Sequence, residues 1–261
     1  MPELPEVETI RRQLNAVLVG QRIKGLTAFA KASAVEASVI GKKILGVRRK
    51  AKMIIIELSG GVSLLIHLKM TGQLIYNGQK NKYTRAIFEL DKGKLLFNDL
   101  RRFGWIKVIK NKDLRLMIND LPPDVVDKEF TLNYLRKILK SSGQAVKIVL
   151  MDQKKMGGIG NIYANESLYC AKIDPRIPAK KVKKIKELHQ YTIKVINQGI
   201  KYGGSTASDE NYVNALGKGG HYQEHFLVYE REGKKCSRCG SEIKKIKLGG
   251  RGTYYCPGCQ K

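Results

Sequence analysis

Beyond its first twenty residues, the hydrophobic period of this chain changes at "NDLPPDVVDKEF" (119–130). Before it, residues 22–110 read as strands. "KMIIIELSGGVSLLIHL" is two apolar runs joined at Gly60-Gly61, and "RAIFELDKGKLLFND" is a hairpin around Asp91-Lys92-Gly93. Hairpins at this spacing favour an antiparallel sandwich or barrel. After it the period is helical, with one stripe at Leu132, Leu135, Ile138 and Leu139 and another at Val182, Ile185, Leu188, Ile196 and Ile200, ended by Gly203-Gly204. Two prolines and several acidic residues mark 119–130 as a linker. The chain is therefore expected to be α+β, with its sheets and helices segregated. Between the stripes, "GGIGNIYANESLYCA" is a Gly-rich turn feeding a short helix, and "STASDENYVNALGKGGHYQ" (205–223) is polar and reads as a mobile loop.

One helix precedes the strands. In "MPELPEVETI", Pro5 suits a first helical turn and Glu6 and Glu8 lie where the helix dipole favours negative charge. Val7, Ile10, Leu14 and Val17 or Leu18 give it a single buried face. Helix chemistry leaves Pro2 and Glu3 unexplained. A Met before Pro is usually removed, which leaves Pro2 as a free secondary amine, and an α-amino pKa of roughly 7.7–8.0 keeps a neutral, nucleophilic fraction near pH 7. Such an amine attacking an aldehyde-type carbon gives an iminium that is charged without needing a proton, with Glu3 beside it as a general acid.

Charge narrows the partner. Lys+Arg number 49 against 23 Asp+Glu, a formal net charge of +26. That excess points to a polyanion, nucleic acid first and a membrane surface second. No apolar run reaches the ~20 residues of a spanning helix and no signal peptide precedes the folded pattern, so a soluble, cytoplasmic protein is expected. Of five cysteines, Cys170 lies alone in a helical stretch and reads as a small buried residue. Cys236, Cys239, Cys256 and Cys259 form C-x2-C-x16-C-x2-C, the spacing of a structural zinc site.

Taken together, "PELPEVE", "RRKAK", "HLKMTGQL", "NDLRRFG", "GIGNIYANE" and the terminal "YYCPGCQK" resemble, in order and over nearly the whole chain, the bacterial formamidopyrimidine-DNA glycosylases. The resemblance implies a bifunctional DNA repair enzyme that excises oxidised purines and then cuts the strand at the abasic sugar. It implies an N-terminal helix with a two-layer antiparallel β-sandwich (1–118), the linker (119–130), a helix–two-turn–helix domain with a lesion-recognition loop (131–225) and a zinc-bound β-hairpin (226–261). A monomer would hold double-stranded DNA in a basic cleft between the two domains, flipping the damaged base out of the stack.

Residue by residue, the resemblance makes Pro2 the nucleophile at C1′ and Glu3 the proton donor to the sugar ring oxygen, with Glu6 fixing the turn. Lys52 reaches the phosphate and sugar near the lesion, whereas Arg48, Arg49 and Lys50 read as a solvated strand end or a loose phosphate contact. Met70, Arg101 and Phe103 fill the gap left by the flipped base. Met and Phe are apolar wedges, and Arg suits the acceptor edge of an orphaned cytosine; for Met70 and Phe103 ordinary core packing is the alternative. Asn161 would bind phosphate at the turn, or cap the helix. Lys147 and Tyr229 match further DNA contacts. Arg251, in "KKIKLGGRGTYYC", would grip the phosphates flanking the lesion and assist δ-elimination. The chain departs from the family at Tyr83 and Arg85, where His is common; at Leu100, a common Pro; and at 29–43, which looks short. Tyr83 can still donate to phosphate. The nearest rival, an endonuclease VIII-like enzyme for oxidised pyrimidines, typically begins Pro-Glu-Gly-Pro and lacks the Met/Arg/Phe set.

Overall fold

The opening helix, α1 (Leu4–Leu18), starts where Pro5 and Glu6 predict it. Glu3 is its N-cap, and a reciprocal capping box closes the turn, Glu6 Oε2 accepting the Glu3 N–H at 2.8 Å. The computed structural model describes residues 1–28, 38–207 and 212–261. These fall into two units, Met1–Leu121 with Tyr202–His221, and Pro122–Lys201 with Tyr222–Lys261.

In the first unit eight strands form two antiparallel sheets. One has the order β1 (Ile23–Ala28), β6 (Thr84–Leu90), β7 (Lys94–Asp99), β5 (Gly72–Tyr76); the other β2 (Ile44–Lys50), β3 (Met53–Leu58), β4 (Val62–His67), β8 (Trp105–Lys110). Alternate residues of β3 and β4, Ile54, Ile56, Leu64 and Ile66, join Leu74, Phe88, Leu95 and Phe97 of the other sheet and Val7, Ile10 and Leu14 of α1 in one core. This is the two-layer sandwich. The intervening Ile55 and Leu65 face the other way and pack with Leu114. Leu114 belongs to a helix not read from the sequence, α2 (Asn111–Asn119), in which it is the one buried residue. Covering both faces explains why "IIIEL" reads as a continuous apolar run rather than an alternating one.

The second unit holds α3 (Leu132–Lys140), α4 (Val146–Met151), α5 (Asn161–Cys170), α6 (Ile185–Lys201) and the hairpin β9 (Lys244–Leu248)–β10 (Arg251–Tyr255). Leu135 and Leu139 are the buried edge of α3, and Leu188 and Ile196 that of α6. Val182, read as part of the second stripe, is buried but precedes the helix.

One boundary differs from expectation. Tyr202–His221 belongs with the first unit rather than with the helical one. Long-range hydrogen bonds account for this: Ser205 N–H donates to Glu6 Oε1 at 2.8 Å, Ala215 N–H to Gln13 Oε1 at 2.9 Å, and Tyr76 N–H to Ala215 O at 2.8 Å. Within the polar 205–223 segment, 208–211 lie outside the described residues, as do 29–37 of the segment that looked short.

Candidate active site and nucleic-acid interface

The N-terminal turn is shaped by burial and by one carboxylate. Pro2 is buried, Glu3 is 3% exposed and Glu6 1% exposed, while Met1 stays at the surface. Glu6 serves two masters, taking the Glu3 N–H on Oε2 and the Ser205 N–H on Oε1, so it fixes the turn that aims residues 2 and 3.

Lys52 occupies the two-residue turn Ala51-Lys52 between β2 and β3 and is 4% exposed. Arg49 ties that turn to α1: its Nη1 donates to Ala51 O at 2.9 Å and its Nε to Glu8 Oε2 at 3.2 Å. Burial opposes the Glu8 charge, but Arg11, Arg12 and Arg49 outweigh it and hold the carboxyl below its usual range. Arg48 pairs with Glu57 at 2.8 Å. Arg48 stays solvated as expected of a strand end, with Glu57 beside it, whereas Arg49 is buried in its ion pair with Glu8.

His67, within "HLKMTGQL", belongs to the same neighbourhood. Burial and the nearby Lys69 and Lys52 ammoniums lower its pKa to about 4, and its Nδ1 accepts the Lys69 N–H at 3.0 Å. It is neutral at pH 7 and carries its proton on Nε2.

Met70 is half-buried in the turn that leads into β5. Arg101 and Phe103 are exposed in the turn between β7 and β8, with the guanidinium stacked 5.0 Å from the Phe103 ring centroid. Tyr83 is half-buried before β6, and Arg85 Nε donates to Asp99 O at 3.0 Å. That bond fixes the Arg85 head against the backbone.

In the second unit Gly160 is the N-cap of α5, and Asn161 is its first residue, so the capping role does not fall to Asn161. The Asn161 amide faces the Tyr229 hydroxyl at 3.5 Å. Tyr229 is held by Glu166, a fully buried carboxyl that accepts the N–H groups of Leu227, Val228 and Tyr229 at 2.8–3.0 Å. Burial pushes the Glu166 pKa up, and those three N–H groups oppose it.

Lys147 corrects an expectation. The resemblance places it among DNA contacts, but it is 1% exposed, and its Nζ donates to Gly252 O at 2.9 Å and Thr253 Oγ1 at 2.7 Å. Its charge acts inside the protein, where it anchors the strand that begins with Arg251. Gly249 and Gly250 (φ +57° and +75°) make the hairpin turn, and Arg251 is exposed directly after it. Asn165 Oδ1 accepts the Tyr254 N–H at 2.8 Å and secures the same strand to α5.

The thiols of Cys236, Cys239, Cys256 and Cys259 lie within 4.8 Å of one another, with Cys236–Cys259 at 3.8 Å and Cys239–Cys256 at 3.4 Å. A tetrahedral zinc at a Zn–S distance of about 2.3 Å sets its ligands roughly 3.8 Å apart, so the donor set fits one ion. Burial disfavours a Cys236 thiolate, yet the Tyr169 hydroxyl and the N–H groups of Arg238 and Cys239 bring its pKa down to about 6. Among the described residues no helix is long and apolar enough to cross a membrane.

Comparison with known proteins covers nearly the whole chain. Residues 1–106 match the formamidopyrimidine-DNA glycosylase N-terminal domain, 121–211 the H2TH domain of the same family, and 233–261 a zinc finger found in FPG and IleRS. The chain is 39% identical to a formamidopyrimidine-DNA glycosylase of Pelotomaculum thermopropionicum, over all of this chain and 99% of the relative. Its fold is similar to a point mutant of Lactococcus lactis FPG in complex with Fapy-dG-containing DNA (TM-score 0.92, 34% identity, all of both chains). It is also similar to the wild-type L. lactis protein with DNA containing an oxidised pyrimidine (TM-score 0.91, 34% identity, all of both chains).

Proposed function

Because the chain belongs to the family of formamidopyrimidine-DNA glycosylases, we propose that Pro2 is the nucleophile with which it removes oxidised purines from duplex DNA. The family acts in base excision repair, as a glycosylase and as a lyase at abasic sites. The observation that carries the proposal is the seat of residue 2: buried, beside a buried carboxyl, and directly before a helix whose first turn is fixed by a capping box. The substrates proposed are 8-oxoguanine opposite C and formamidopyrimidines. A formal charge of +26 supports a polyanionic partner, and the enzyme works on it as a monomer in the cytoplasm, at the nucleoid.

Removal of Met1 turns the Pro2 nitrogen into a secondary amine. Its lone pair forms a bond to C1′ of the flipped nucleotide while the glycosidic C–N bond breaks. The bonding electrons leave with the base, which takes the proton the amine loses. Glu3 then protonates the ring oxygen as the C1′–O4′ bond opens, and the nitrogen lone pair closes the iminium. The cation acidifies C2′, and loss of a C2′ proton expels the 3′ phosphate. A second elimination expels the 5′ phosphate, with Lys52 and Arg251 at the phosphates. Water hydrolyses the remaining iminium and frees Pro2. Cys236, Cys239, Cys256 and Cys259 would hold a zinc ion whose part is structural, bracing the hairpin that presents Arg251.

Met70 and Phe103 occupy the space of the flipped base, and Arg101 offers two donors to O2 and N3 of the orphaned cytosine. Adenine presents an N6 donor there instead, a mismatch worth roughly 1–3 kcal/mol. Tyr83, Asn161 and Tyr229 meet the phosphates, and Lys147 serves them from within by holding the finger strand.

Excision of oxidised pyrimidines is the second reading, favoured by the oxidised-pyrimidine DNA in one of the similar structures. The start "PELP" and the Met70, Arg101 and Phe103 set favour purines. Nicking of matched duplexes carrying 8-oxoguanine or an oxidised pyrimidine decides between them, with the purine expected to be cut faster. Borohydride should trap an adduct on residue 2. An adduct on a lysine, with Pro2→Gly fully active, would sink the mechanism.

A further inference from the structure

Asp99 closes β7 and is 1% exposed, yet its side chain ends among hydrogen-bond donors rather than apolar groups. Oδ1 accepts the Thr71 hydroxyl at 2.5 Å and the Arg101 N–H at 3.2 Å, and Oδ2 accepts the Gly104 N–H at 2.7 Å. Thr71 Oγ1 also accepts the Arg101 N–H, at 2.9 Å. The Asp99 backbone is engaged as well, its N–H donating to Tyr83 O at 2.9 Å and its carbonyl accepting from Arg85 Nε at 3.0 Å. One residue thus joins the turn that carries Met70, the start of β6, and the turn that carries Arg101 and Phe103.

The other bonds in those turns are local: Lys69 N–H donates to His67 Nδ1 at 3.0 Å and Gly72 N–H to Leu68 O at 2.9 Å, and neither links one turn to the other. Lys69 and Arg102 adopt left-handed backbone (φ +53° and +59°), and Phe103 is 55% exposed. Gly72 is pressed so close to its own turn that a Cβ would lie 2.4 Å from Leu68 O. The tips are open and irregular, and their anchoring is polar and lies beneath them.

We propose that Asp99, acting through Thr71 and the Gly104 N–H, is a positioning residue for selection of the base opposite the lesion. It sets the spacing between the Met70 turn and the Arg101–Phe103 turn, so that the Arg101 guanidinium meets the orphaned base in one pose. The proposal rests on the reading of Arg101 given above. A carboxylate is required because both of its oxygens accept. An amide of the same shape accepts at one oxygen only and points an NH2 either at the Gly104 N–H or at the Thr71–Arg101 pair, so one turn is released while the other stays held.

Single-turnover excision of 8-oxoguanine opposite C and opposite A tests this, measured with borohydride trapping and thermal melting for wild type, Asp99→Asn, Thr71→Val and Thr71→Ser. Misplacing a recognition group by about 1 Å costs up to ~10²-fold, so Asp99→Asn and Thr71→Val are expected to lower the C-over-A ratio by roughly tenfold. Thr71→Ser, which keeps the hydroxyl, should retain the wild-type ratio, and the adduct on residue 2 should form in all four proteins. If Asp99→Asn does not fold, the Val and Ser pair at position 71 decides. Variants that melt earlier or cut both substrates more slowly at an unchanged ratio would show a merely structural contact and overturn the proposal. A wild type without C-over-A bias overturns the reading of Arg101, and the positioning role with it; that result is distinguishable because it appears before any substitution is made.

Discussion

The N-terminal turn, with Pro2 and Glu3, and the finger hairpin, with Arg251, hold the residues proposed for the chemistry by opposite physical means. Pro2 and Glu3 precede a helix whose buried stripe, Leu4, Val7, Ile10, Leu14 and Leu18, runs along the sandwich. Their placement is distributed over many apolar contacts, each modest. Arg251 stands on a hairpin in which β9 has no fully buried residue. It is held by a few directional links: Lys147 on Gly252 and Thr253, Asn165 on Tyr254, Gln260 Oε1 on the Cys256 N–H, and the four thiols. A segment this short cannot bury enough apolar surface to fold by itself, so polar anchors and a metal replace the core. Distributed burial tolerates single losses, whereas concentrated links do not.

Removing one thiol should therefore have the largest effect. Cys239→Ser is expected to lose zinc, whose binding contributes on the order of 10–16 kcal/mol in isolated fingers, and with it binding to lesion-containing DNA. The melting transition of the first unit should stay where it was. Tight binding by metal-free protein would end the comparison. In the sandwich, Leu14→Ala removes a fully buried side chain and should cost about 2–5 kcal/mol of stability. Yet the folded fraction should bind DNA and form the residue 2 adduct at nearly wild-type rate. A large change in Kd at full folding would show that the N-terminal turn is less buffered than its core suggests.

Acid sensitivity should separate the units in the same way. Unfolded His67 takes up a proton near pH 6.5 but the folded residue does so only near pH 4, so protons favour the unfolded chain between those values. Stability of the first unit should fall by roughly 1–2 kcal/mol as pH drops from 6.5 to 4, after allowance for solvent screening, and level off below. His67→Asn keeps an acceptor for the Lys69 N–H and should flatten that limb in denaturant titrations at several pH values. A limb that persists in the variant belongs to another group. The smallest effect is expected at the hairpin tip. Arg251→Ala should keep the zinc and reduce the slope of log K against log salt by one phosphate, ~0.9. An unchanged slope would count against a phosphate contact there.

The sequence by itself determined whatever depends on neighbours along the chain. Apolar runs and turn glycines placed the hairpins within 52–68 and 85–99, helical periods placed α1, α3 and α6, and C-x2-C spacing identified the four zinc ligands. Pro5 and Glu6 marked the opening turn because a helix start needs only its first residues to be legible. Tertiary structure alone decided what depends on residues far apart. The Met70 and Arg101 turns meet on Asp99, which bonds Thr71 across 28 positions. Glu6 draws Ser205 to the first unit across 199. Lys147 is buried because Gly252 and Thr253 lie over it, more than a hundred residues on. The helix at 111–119 was readable but not read: Leu114, Met117 and Ile118 recur at helical spacing, in a segment of only nine residues between a strand and the proline-bearing stretch. A charged or polar side chain reads as a surface residue wherever its partner is distant in sequence, because the free energy that buries it comes from that partner and not from its own surroundings in the chain.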